Sequence, residues 1–191
     1  MTTAFTIREA VMADAEAISR LCISGFSYIH ESGFLPEDLT AICEELFSTE
    51  PVNADMLQGD RFYLVLDTPD GVKGCLRMAP PSLHDAKFDR GGFELSRFYI
   101  DEEIRGGGWG TKMLSIAHKR TRSMGFERSW LHVFIPNARA QQFYLRHGYQ
   151  MMGQETLHFR NSEPTGYVMM KDLRQEVCIA APSSVSSPMD Y

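Results

Sequence analysis

The chain has 191 residues, of which 43% are hydrophobic and 23% charged, a balance typical of one globular domain rather than of a disordered or fibrous chain. Its formal net charge of −6 argues against nucleic acid as the main partner. No apolar run reaches the roughly 18 residues that span a bilayer, and residues 1–5 lack the basic and apolar blocks of a signal peptide. We therefore expect a cytoplasmic protein with no membrane partner.

Cysteine placement predicts reduced, mostly buried thiols. The four cysteines form no Cys-x-x-Cys pair and have no histidine at ligand spacing, so the sequence signals neither a zinc site nor a disulfide framework. We expect no metal. The cysteines are Cys22, Cys43, Cys75 and Cys178.

Charge is distributed unevenly along the chain. Residues 21–60 contain no lysine or arginine but eight acidic residues, whereas residues 87–146 contain eleven basic and six acidic residues. Two interpretations stay open: two solvated faces of opposite sign, or a second half that holds an anionic cofactor and a first half that attracts a cationic acceptor. The acidic residues of the first segment are Glu31, Glu37, Asp38, Glu44, Glu45, Glu50, Asp55 and Asp60.

Hydrophobic periodicity predicts a strand, two helices and a hairpin in the first half. Residues 5–8 form a short strand, and a helix begins near Asp14. A second helix begins at Pro36, because proline suits the first turn of a helix. Residues 62–66 and 72–78 are β-rich runs on either side of a turn sequence, which is typical of a hairpin. The expected buried residues are Ile18, Leu21, Cys22 and Phe26 on the first helix and Leu39, Ile42, Cys43 and Leu46 on the second.

A strand, a glycine cluster and a helix form the predicted central unit. Residues 93–100 have the composition of a strand, glycines occupy 106–108, and a helix spans 110–124 and ends at Gly125. The expected inward-facing residues of this helix are Met113, Ile116, Ala117 and Met124.

The last third of the domain predicts another strand, a short helix and a closing hairpin. Residues 129–134 form the strand, and Asn137 is placed to cap a helix that ends at Gly148. β-rich runs at 149–152, 154–159 and 167–171 predict the hairpin. Beyond residue 173 the periodicity weakens and the sequence becomes rich in serine and proline. We predict one domain, residues 1–173, and a flexible C-terminal extension, residues 174–191.

The glycine cluster has the properties of a phosphate-binding loop. A turn from a buried strand into a helix leaves backbone N–H groups at the helix start, where the helix dipole also favours negative charge. Glycines let such a loop adopt positive φ and let a phosphate approach the backbone. The segment 105–110 therefore predicts a pyrophosphate site.

Other nucleotide sites use similar loops, and two of them match this one poorly. A P-loop ends in Gly-Lys-Ser/Thr, whereas Gly110 is followed by Thr111 and then Lys112. A dinucleotide fingerprint beginning at Gly106 needs a third small residue where Thr111 stands, and an acidic ribose ligand about 20 residues later. From the residues alone, a purely structural turn stays open.

Three motifs, in order and at matching separation, resemble the GNAT superfamily of N-acetyltransferases. They are Glu94-Leu95-Ser96-Arg97-Phe98-Tyr99-Ile100, then Arg105-x-x-Gly108-x-Gly110, then Asn137-Ala138-Arg139-Ala140-x-x-Phe143-Tyr144-x-x-x-Gly148-Tyr149. The resemblance covers roughly residues 4–173. Within the superfamily the chain is most similar to polyamine N-acetyltransferases of the bacterial spermidine/spermine type, through Pro36-Glu37-Asp38-Leu39 and Thr165-Gly166-Tyr167-Val168-Met169-Met170-Lys171.

The resemblance implies a fold and a co-substrate. The implied fold is α/β (α+β), with a mixed, mostly antiparallel central sheet of about six to seven strands flanked by about four helices. The implied co-substrate is acetyl-CoA, with its pyrophosphate on the glycine loop, where Arg105 pairs with phosphate or acts through the loop backbone. The implied cofactor-binding residues are Phe98, Tyr99, Ile100, Arg105, Gly106, Gly107, Gly108, Trp109, Gly110, Thr111 and Asn137.

The resemblance also implies two catalytic residues. Tyr144 would protonate the leaving CoA thiolate; alternatively, it is an aromatic core residue beside Phe143. Glu94 would take the proton from the amine, directly or through water; alternatively, it is an outward-facing charge or a partner of Arg97. Asn137 is, on physical grounds, first of all a helix cap, and a cofactor contact would be additional.

The predicted function is acetyl-CoA-dependent N-acetylation of a small cationic, polyamine-like amine by direct attack in a ternary complex. The acidic segment favours this acceptor over the alternative, the N-terminus or a lysine of a peptide or protein. A second alternative is a module that binds acyl-CoA without catalysis, and the presence of both Glu94 and Tyr144 argues against it. Because exposed sheet edges in such folds often pair between subunits, we expect a homodimer.

Overall fold

The computed structural model describes residues 5–27, 33–81 and 92–174, and these build one central sheet. Its seven strands have the order β1-β2-β3-β4-β5-β7-β6. Every neighbouring pair is antiparallel except β4 and β5, which run parallel. The expected mixed, mostly antiparallel sheet is therefore confirmed. The strands are β1 Thr6–Glu9, β2 Phe62–Thr68, β3 Gly71–Ala79, β4 Phe93–Ile100, β5 Arg128–Phe134, β6 Gln150–Thr156 and β7 Thr165–Asp172.

Helices cover both faces of the sheet. The α-helices within the described residues are α1 Ala15–Ser27, α2 Pro36–Ile42, α3 Thr49–Met56, α4 Trp109–Ser123 and α5 Ala138–Arg146. The core on one face includes Leu114 of α4, with Phe143 of α5 packed against it. The core on the other face includes Ile18 of α1 and Val52 of α3. Helix α3 was not predicted from the sequence, because its only large apolar side chains are Val52 and Met56, too few to indicate a buried stripe.

The first helix has its expected buried face, but the segment after α2 differs. All four α1 residues expected in the core are buried. Leu46 was expected to be buried and is 45% exposed, because Cys43–Phe47 forms a π-helical turn. A π turn bonds each residue to the fifth along the chain instead of the fourth, which moves the buried position on to Phe47.

Helix α4 lies where it was predicted, but it is rotated about its axis. Ile116 and Met124, which were expected to face inward, are 41% and 42% exposed. His118 is buried instead, with its Nε2 2.9 Å from the Tyr149 hydroxyl. A buried stripe that contains polar residues is invisible to apolar periodicity. The buried residues of α4 are Met113, Leu114, Ala117, His118 and Thr121.

Strand β4 contains a bulge that changes which residues face each core. Met78 of β3 is paired with Leu95, but the preceding residue, Arg77, is paired with Arg97. Ser96 is therefore the extra residue of the bulge. Beyond the bulge Phe98 packs in the core beneath α4, while Tyr99 packs in the core beneath α1.

Strands β4 and β5 are paired only at their first residues. The parallel register joins Phe93 to Ser129 and Glu94 to Trp130. Past these pairs the two strands separate. Backbone N–H and C=O groups on the β5 side of β4 are consequently not used by the sheet beyond Glu94.

The closing hairpin of β6 and β7 is tied to the start of α2. The Ser162 hydroxyl donates to Asp38 Oδ2 at 2.6 Å and accepts from the Leu35 N–H at 2.9 Å. Asp38 is 1% exposed. One member of the acidic segment thus anchors the fold and does not face solvent.

Most of the predicted C-terminal extension, residues 175–191, lies outside the described residues. Within the described ranges, no helix combines the length and the hydropathy that crossing a membrane requires.

Candidate active site

A pocket of about 750 Å³ lies where β4 and β5 separate. One wall is the second half of β4, the floor is the start of α4, and the opposite wall is α5 with the turn before it. The sequence-predicted residues that line it are Phe98, Tyr99, Ile100, Arg105, Gly106, Gly108, Trp109, Gly110, Thr111, Asn137 and Tyr144. The structure thus brings most of the predicted site residues together, and Gly107 and Glu94 are the two outside the lining.

The glycine loop has the backbone conformation that the sequence predicted. Gly106 has φ of +87° and Gly108, the N-cap of α4, has φ of +75°. A Cβ at either position would project into open space and meet no protein atom within 4 Å. The N–H groups of the first turn of α4 have no partner within the helix. Loop and helix together form a cradle for an anion at the positive end of the helix dipole.

Gly107 supports the loop from behind. A Cβ there would lie 3.0 Å from Cδ1 of Trp109. The Trp109 ring packs against Phe5 at 5.1 Å between centroids, and Lys112 Nζ lies 4.1 Å from the ring centroid. Gly107 is therefore required for close packing of the indole and does not line the pocket.

The Arg105 side chain is engaged within the protein. Its Nε donates to the Ile100 carbonyl at 2.9 Å, and Nη1 lies 3.3 Å from Glu102 Oε1. These contacts attach the loop to the end of β4. Of the two roles considered for Arg105, this geometry favours support of the loop backbone.

Asn137 is a helix cap that also lines the pocket. Its Oδ1 accepts a hydrogen bond from the Ala140 N–H at 3.1 Å, as the sequence predicted. Such a bond satisfies one of the free N–H groups of α5 and stabilises the helix by about 1 kcal/mol.

Tyr144 combines an aromatic core contact with access to the pocket. Its ring packs edge-on against Phe143 and Tyr149, at 5.4 and 5.5 Å between centroids. Within the described residues its hydroxyl makes no hydrogen bond. Burial raises the pKa of Tyr144 above its usual range, so the hydroxyl keeps its proton at neutral pH. It is a proton donor held at the wall of the pocket.

Glu94 lies at the closed end of the gap between β4 and β5. It is 5% exposed and stands opposite Trp130, where the two strands still pair. An outward-facing charge is therefore ruled out for Glu94. Arg97, its suggested partner, donates instead to the Tyr63 hydroxyl at 2.9 Å and to the Leu46 carbonyl at 3.0 Å.

Several lining residues were not predicted from the sequence. His147 joins two helices: its Nδ1 donates to the Phe143 carbonyl at 2.7 Å and its Nε2 lies 2.9 Å from Thr111 Oγ1. Gly25 carries one recognisable signal, since glycine inside a helix usually has a packing reason. Ala140 and Phe143 belong to the family motif 137–149, and the remaining unpredicted lining residues are Gly25, Ile104, Pro136, Ala138, Arg139, Arg146 and His147.

Much of the acidic segment is neutralised by arginines. Asp55 forms a two-pronged ion pair with Arg77, at 2.6 and 2.7 Å, and a second ion pair with Arg61 at 2.6 Å. Asp60 pairs with the same Arg61. Glu45 pairs with Arg160 on the hairpin connection. Among the acidic residues of this segment that the structure describes, which leaves out Glu31, the exposed ones without an ion pair are Glu37, Glu44 and Glu50.

No group of three or more His, Cys, Asp or Glu side chains is arranged to hold a metal ion in the part of the chain that the structure describes.

The model of the acetyltransferase (GNAT) family matches residues 32–149. No curated protein matches the chain by sequence.

Solved structures with the same fold cover nearly the whole chain. The PaiA N-acetyltransferase from Thermoplasma acidophilum, in complex with coenzyme A, is 18% identical with a TM-score of 0.70, covering 88% of this chain and 99% of that one. An acetyltransferase of the GNAT family from Streptococcus pneumoniae is 20% identical with a TM-score of 0.64, at 88% and 99% coverage. Ard1 from Thermoplasma volcanium is 19% identical with a TM-score of 0.59, at 88% and 97% coverage. At these identities the likeness shows the fold, and the family match then identifies the protein: the chain belongs to the acetyltransferase (GNAT) family and is an N-acetyltransferase.

Proposed function

We propose that the chain uses acetyl-CoA in the pocket between β4 and β5 to acetylate an amine of a small molecule. The observation that carries this proposal is the juxtaposition, around one pocket, of a glycine cradle at the start of α4 and the protonated Tyr144 hydroxyl. The first suits a phosphate and the second suits a leaving group that needs a proton.

The lining suits an anionic, elongated co-substrate. The cradle at Gly106 and Gly108 faces the pocket, and the exposed side chains of Arg139 and Arg146 add positive charge on the α5 side. The free edge of β4 beyond Glu94 offers backbone groups to the amides of a pantetheine arm. When bound, acetyl-CoA supplies the activated acetyl group.

Tyr144 is the proposed general acid. A thiolate released into a pocket of low polarity is unfavourable, and a proton from the Tyr144 hydroxyl to the departing sulfur removes that cost. The raised pKa keeps the proton available at physiological pH, and the aromatic contacts with Phe143 and Tyr149 hold the ring in place.

Glu94 is the proposed base, acting through water. An amine with a pKa of about 10.4 is almost entirely protonated at pH 7. Removing its proton at that pH costs roughly 4.6 kcal/mol. Because Glu94 is buried and lies outside the lining, its position favours a relay over direct contact with the amine.

The acceptor proposed from the sequence is a polyamine-like cation. The exposed Glu37, Glu44 and Glu50 support an attraction for cations on the side of α2 and α3. The support is weaker than the sequence suggested, because Asp38, Asp55 and other acidic residues have internal partners.

The proposal is tested by release of free thiol from acetyl-CoA in the presence of an amine panel. The panel contains spermidine, amino acids and short peptides, and calorimetry on the same protein measures acetyl-CoA binding. We expect tight binding and amine-dependent thiol release that Tyr144→Phe slows by at least about a hundredfold. Binding without release on any amine would favour the non-catalytic module, and release only with peptides would favour the peptide acetyltransferase.

A further inference from the structure

Arg97 lies beside the pocket on the face of β4 that α1 and α3 cover. It is two residues before Tyr99, so its Cα is about 6.6 Å from that of Tyr99 and its side chain shares the same face. Tyr99 lines the pocket and packs beneath α1. Arg97 is not itself among the lining residues, but its side chain lies on the same face of β4 as Tyr99, which is one of them.

Neutral groups hold the Arg97 guanidinium in place. Nη1 donates to the Tyr63 hydroxyl at 2.9 Å and Nη2 to the Leu46 carbonyl at 3.0 Å. The guanidinium carbon lies 5.0 Å from the centroid of the Phe47 ring. The group is thus oriented by hydrogen bonds and stacking on three neutral groups; the Cys22 thiol also faces it, and none of these four is a carboxylate.

Seven other arginines of the described ranges pair with carboxylates, among them Arg61 and Arg77 of the same cluster as Arg97. Arg61 and Arg77 occupy both oxygens of Asp55, and the Tyr63 hydroxyl donates to the same carboxylate. Asp55 has consequently no oxygen to offer Arg97. Within residues 5–27, 33–81 and 92–174, Arg97 has no carboxylate partner. Arginines that pair with a carboxylate include Arg8, Arg61, Arg77, Arg105, Arg120, Arg160 and Arg174.

We propose that Arg97 binds a carboxylate of the acceptor, so that the acceptor is an amine carrying a carboxylate, as in an amino acid. The proposal rests on the proposed acetylation of a small-molecule amine, and it replaces the polyamine-like acceptor with one that resembles an amino acid. The Arg97 guanidinium is half-buried, held in one orientation and without a negatively charged partner, so it can bind an anion. Its parallel N–H groups match the two oxygens of a carboxylate. The same charge repels the second ammonium group of a polyamine.

Matched pairs of amines that differ by one carboxylate test the proposal directly. We would measure kcat/KM for acetylation of lysine against cadaverine, ornithine against putrescine, and alanine against ethylamine. Wild-type protein should prefer the amino acid in at least one pair. Arg97→Gln should reduce that preference by roughly tenfold to a hundredfold, the usual effect of losing a hydrogen-bonded charge.

A control variant removes one positive charge at a site away from the proposed acceptor position. Arg120 pairs with Glu9 on the surface of α4, so Arg120→Gln removes one positive charge and should leave the preference unchanged. Acetyl-CoA binding by Arg97→Gln, measured by calorimetry, shows that the variant is folded.

Two results would overturn the proposal. One is acetylation of the decarboxylated amine as fast as the amino acid in every pair. The other is an equal loss of kcat/KM by Arg97→Gln on both members of a pair. Failure of the proposed function has a different signature, since no amine of any pair would then release thiol from bound acetyl-CoA.

Discussion

The ring of Tyr99 lies directly against the backbone of Gly25. A Cβ built on Gly25 would be 2.1 Å from Cδ1 of Tyr99 and 2.7 Å from Cε1. Gly25 is in α1 and Tyr99 is in β4, and both line the pocket. The absence of a side chain at Gly25 therefore lets the helix approach the sheet and sets the position of one wall of the pocket.

Gly25→Ala should destabilise the protein and weaken acetyl-CoA binding. In an isolated helix this change would stabilise by about 1 kcal/mol. Here the methyl group must displace Tyr99, and overpacking of this kind costs roughly 1–3 kcal/mol. Urea denaturation and calorimetry measure the two effects. Ser24→Ala, at the exposed neighbouring position, is the control and should change neither quantity appreciably; if both variants behave alike, the contact with Tyr99 is unimportant.

Tyr144 and Tyr149 should give opposite results when each loses its hydroxyl. Tyr144→Phe removes the proposed general acid, so kcat should fall roughly a hundredfold to ten-thousandfold while acetyl-CoA binding is kept. The Tyr149 hydroxyl instead bonds Ser129 Oγ at 2.6 Å and His118 Nε2 at 2.9 Å in the core. Tyr149→Phe should therefore lower the free energy of unfolding by about 1–3 kcal/mol and leave kcat nearly unchanged.

The pH dependence of the Tyr144→Phe defect tests whether the Tyr144 hydroxyl keeps its proton over the working range of pH. Since the pKa of Tyr144 is raised by burial, the hydroxyl stays protonated up to at least about pH 10. The ratio of wild-type to Tyr144→Phe kcat should thus be constant between about pH 7 and 10. A ratio that collapses towards one within this range would contradict the assignment.

Gly108→Ala should weaken acetyl-CoA binding, and Gly71→Ala should not. Both glycines have positive φ, +75° and +98°, and a Cβ at either would meet no protein atom within 4 Å. Each alanine should therefore cost about 1–2 kcal/mol of stability through backbone strain. Only at Gly108 does the added methyl enter the proposed phosphate cradle. Calorimetry measures the affinity of each variant for acetyl-CoA. Equal affinities would show that the loop at Gly108 does not bind acetyl-CoA.

Local signals account for what the sequence predicted well. Gly108, Asn137 and Gly148 each end or begin a helix through chemistry that involves only a few neighbouring residues, and the helices lie close to their predicted positions. The glycine cluster and the Asn137 to Tyr144 segment face one pocket because a strand, a turn and a helix fix their spacing. The fold of the site was therefore predictable from short-range patterns and family motifs.

The features that were missed depend on long-range or irregular structure. Asp38 was assigned to an acidic surface, but its partner Ser162 is 124 residues away. The π turn that exposes Leu46 leaves no trace in the apolar pattern. The bulge at Ser96 likewise reverses the face of every later residue in β4, including Arg97. Sequence alone therefore could not show that Asp55 of α3 pairs with Arg77 of β3.

Glu94→Gln should slow the reaction most at low pH. If Glu94 takes the proton of the amine through water, the defect should shrink as the pH approaches the pKa of the amine, about 10.4, where the amine is already neutral. The measurement is kcat/KM of both proteins between about pH 7 and 10 on one amine. A defect of constant size would assign Glu94 a structural role next to Trp130.

Asp55 should contribute stability that depends on pH. Its carboxylate is bound by Arg61, Arg77 and Tyr63. Burial alone would raise the pKa of Asp55, but the hydrogen bonds from Arg77 and Tyr63 outweigh it and hold the pKa below its usual range. Asp55→Asn leaves Arg77 without its counter-charge, whereas Arg61 keeps Asp60, and the change should cost about 3 kcal/mol at pH 7.

The sign of the pH effect follows from the direction of this shift. A carboxyl whose pKa is lower in the folded protein gives its full stabilisation above the unfolded pKa, about 3.9, and loses it as the pH falls through the folded value. The difference in unfolding free energy between wild type and Asp55→Asn should thus be constant from pH 7 down to about 5 and shrink below about pH 4. Asp60→Asn is the matched control, because exposed Asp60 pairs with the same Arg61 and should contribute little. Urea denaturation of the three proteins at several pH values measures these differences, and a difference that grows on acidification would show that Asp55 is not the carboxylate that holds this arginine cluster.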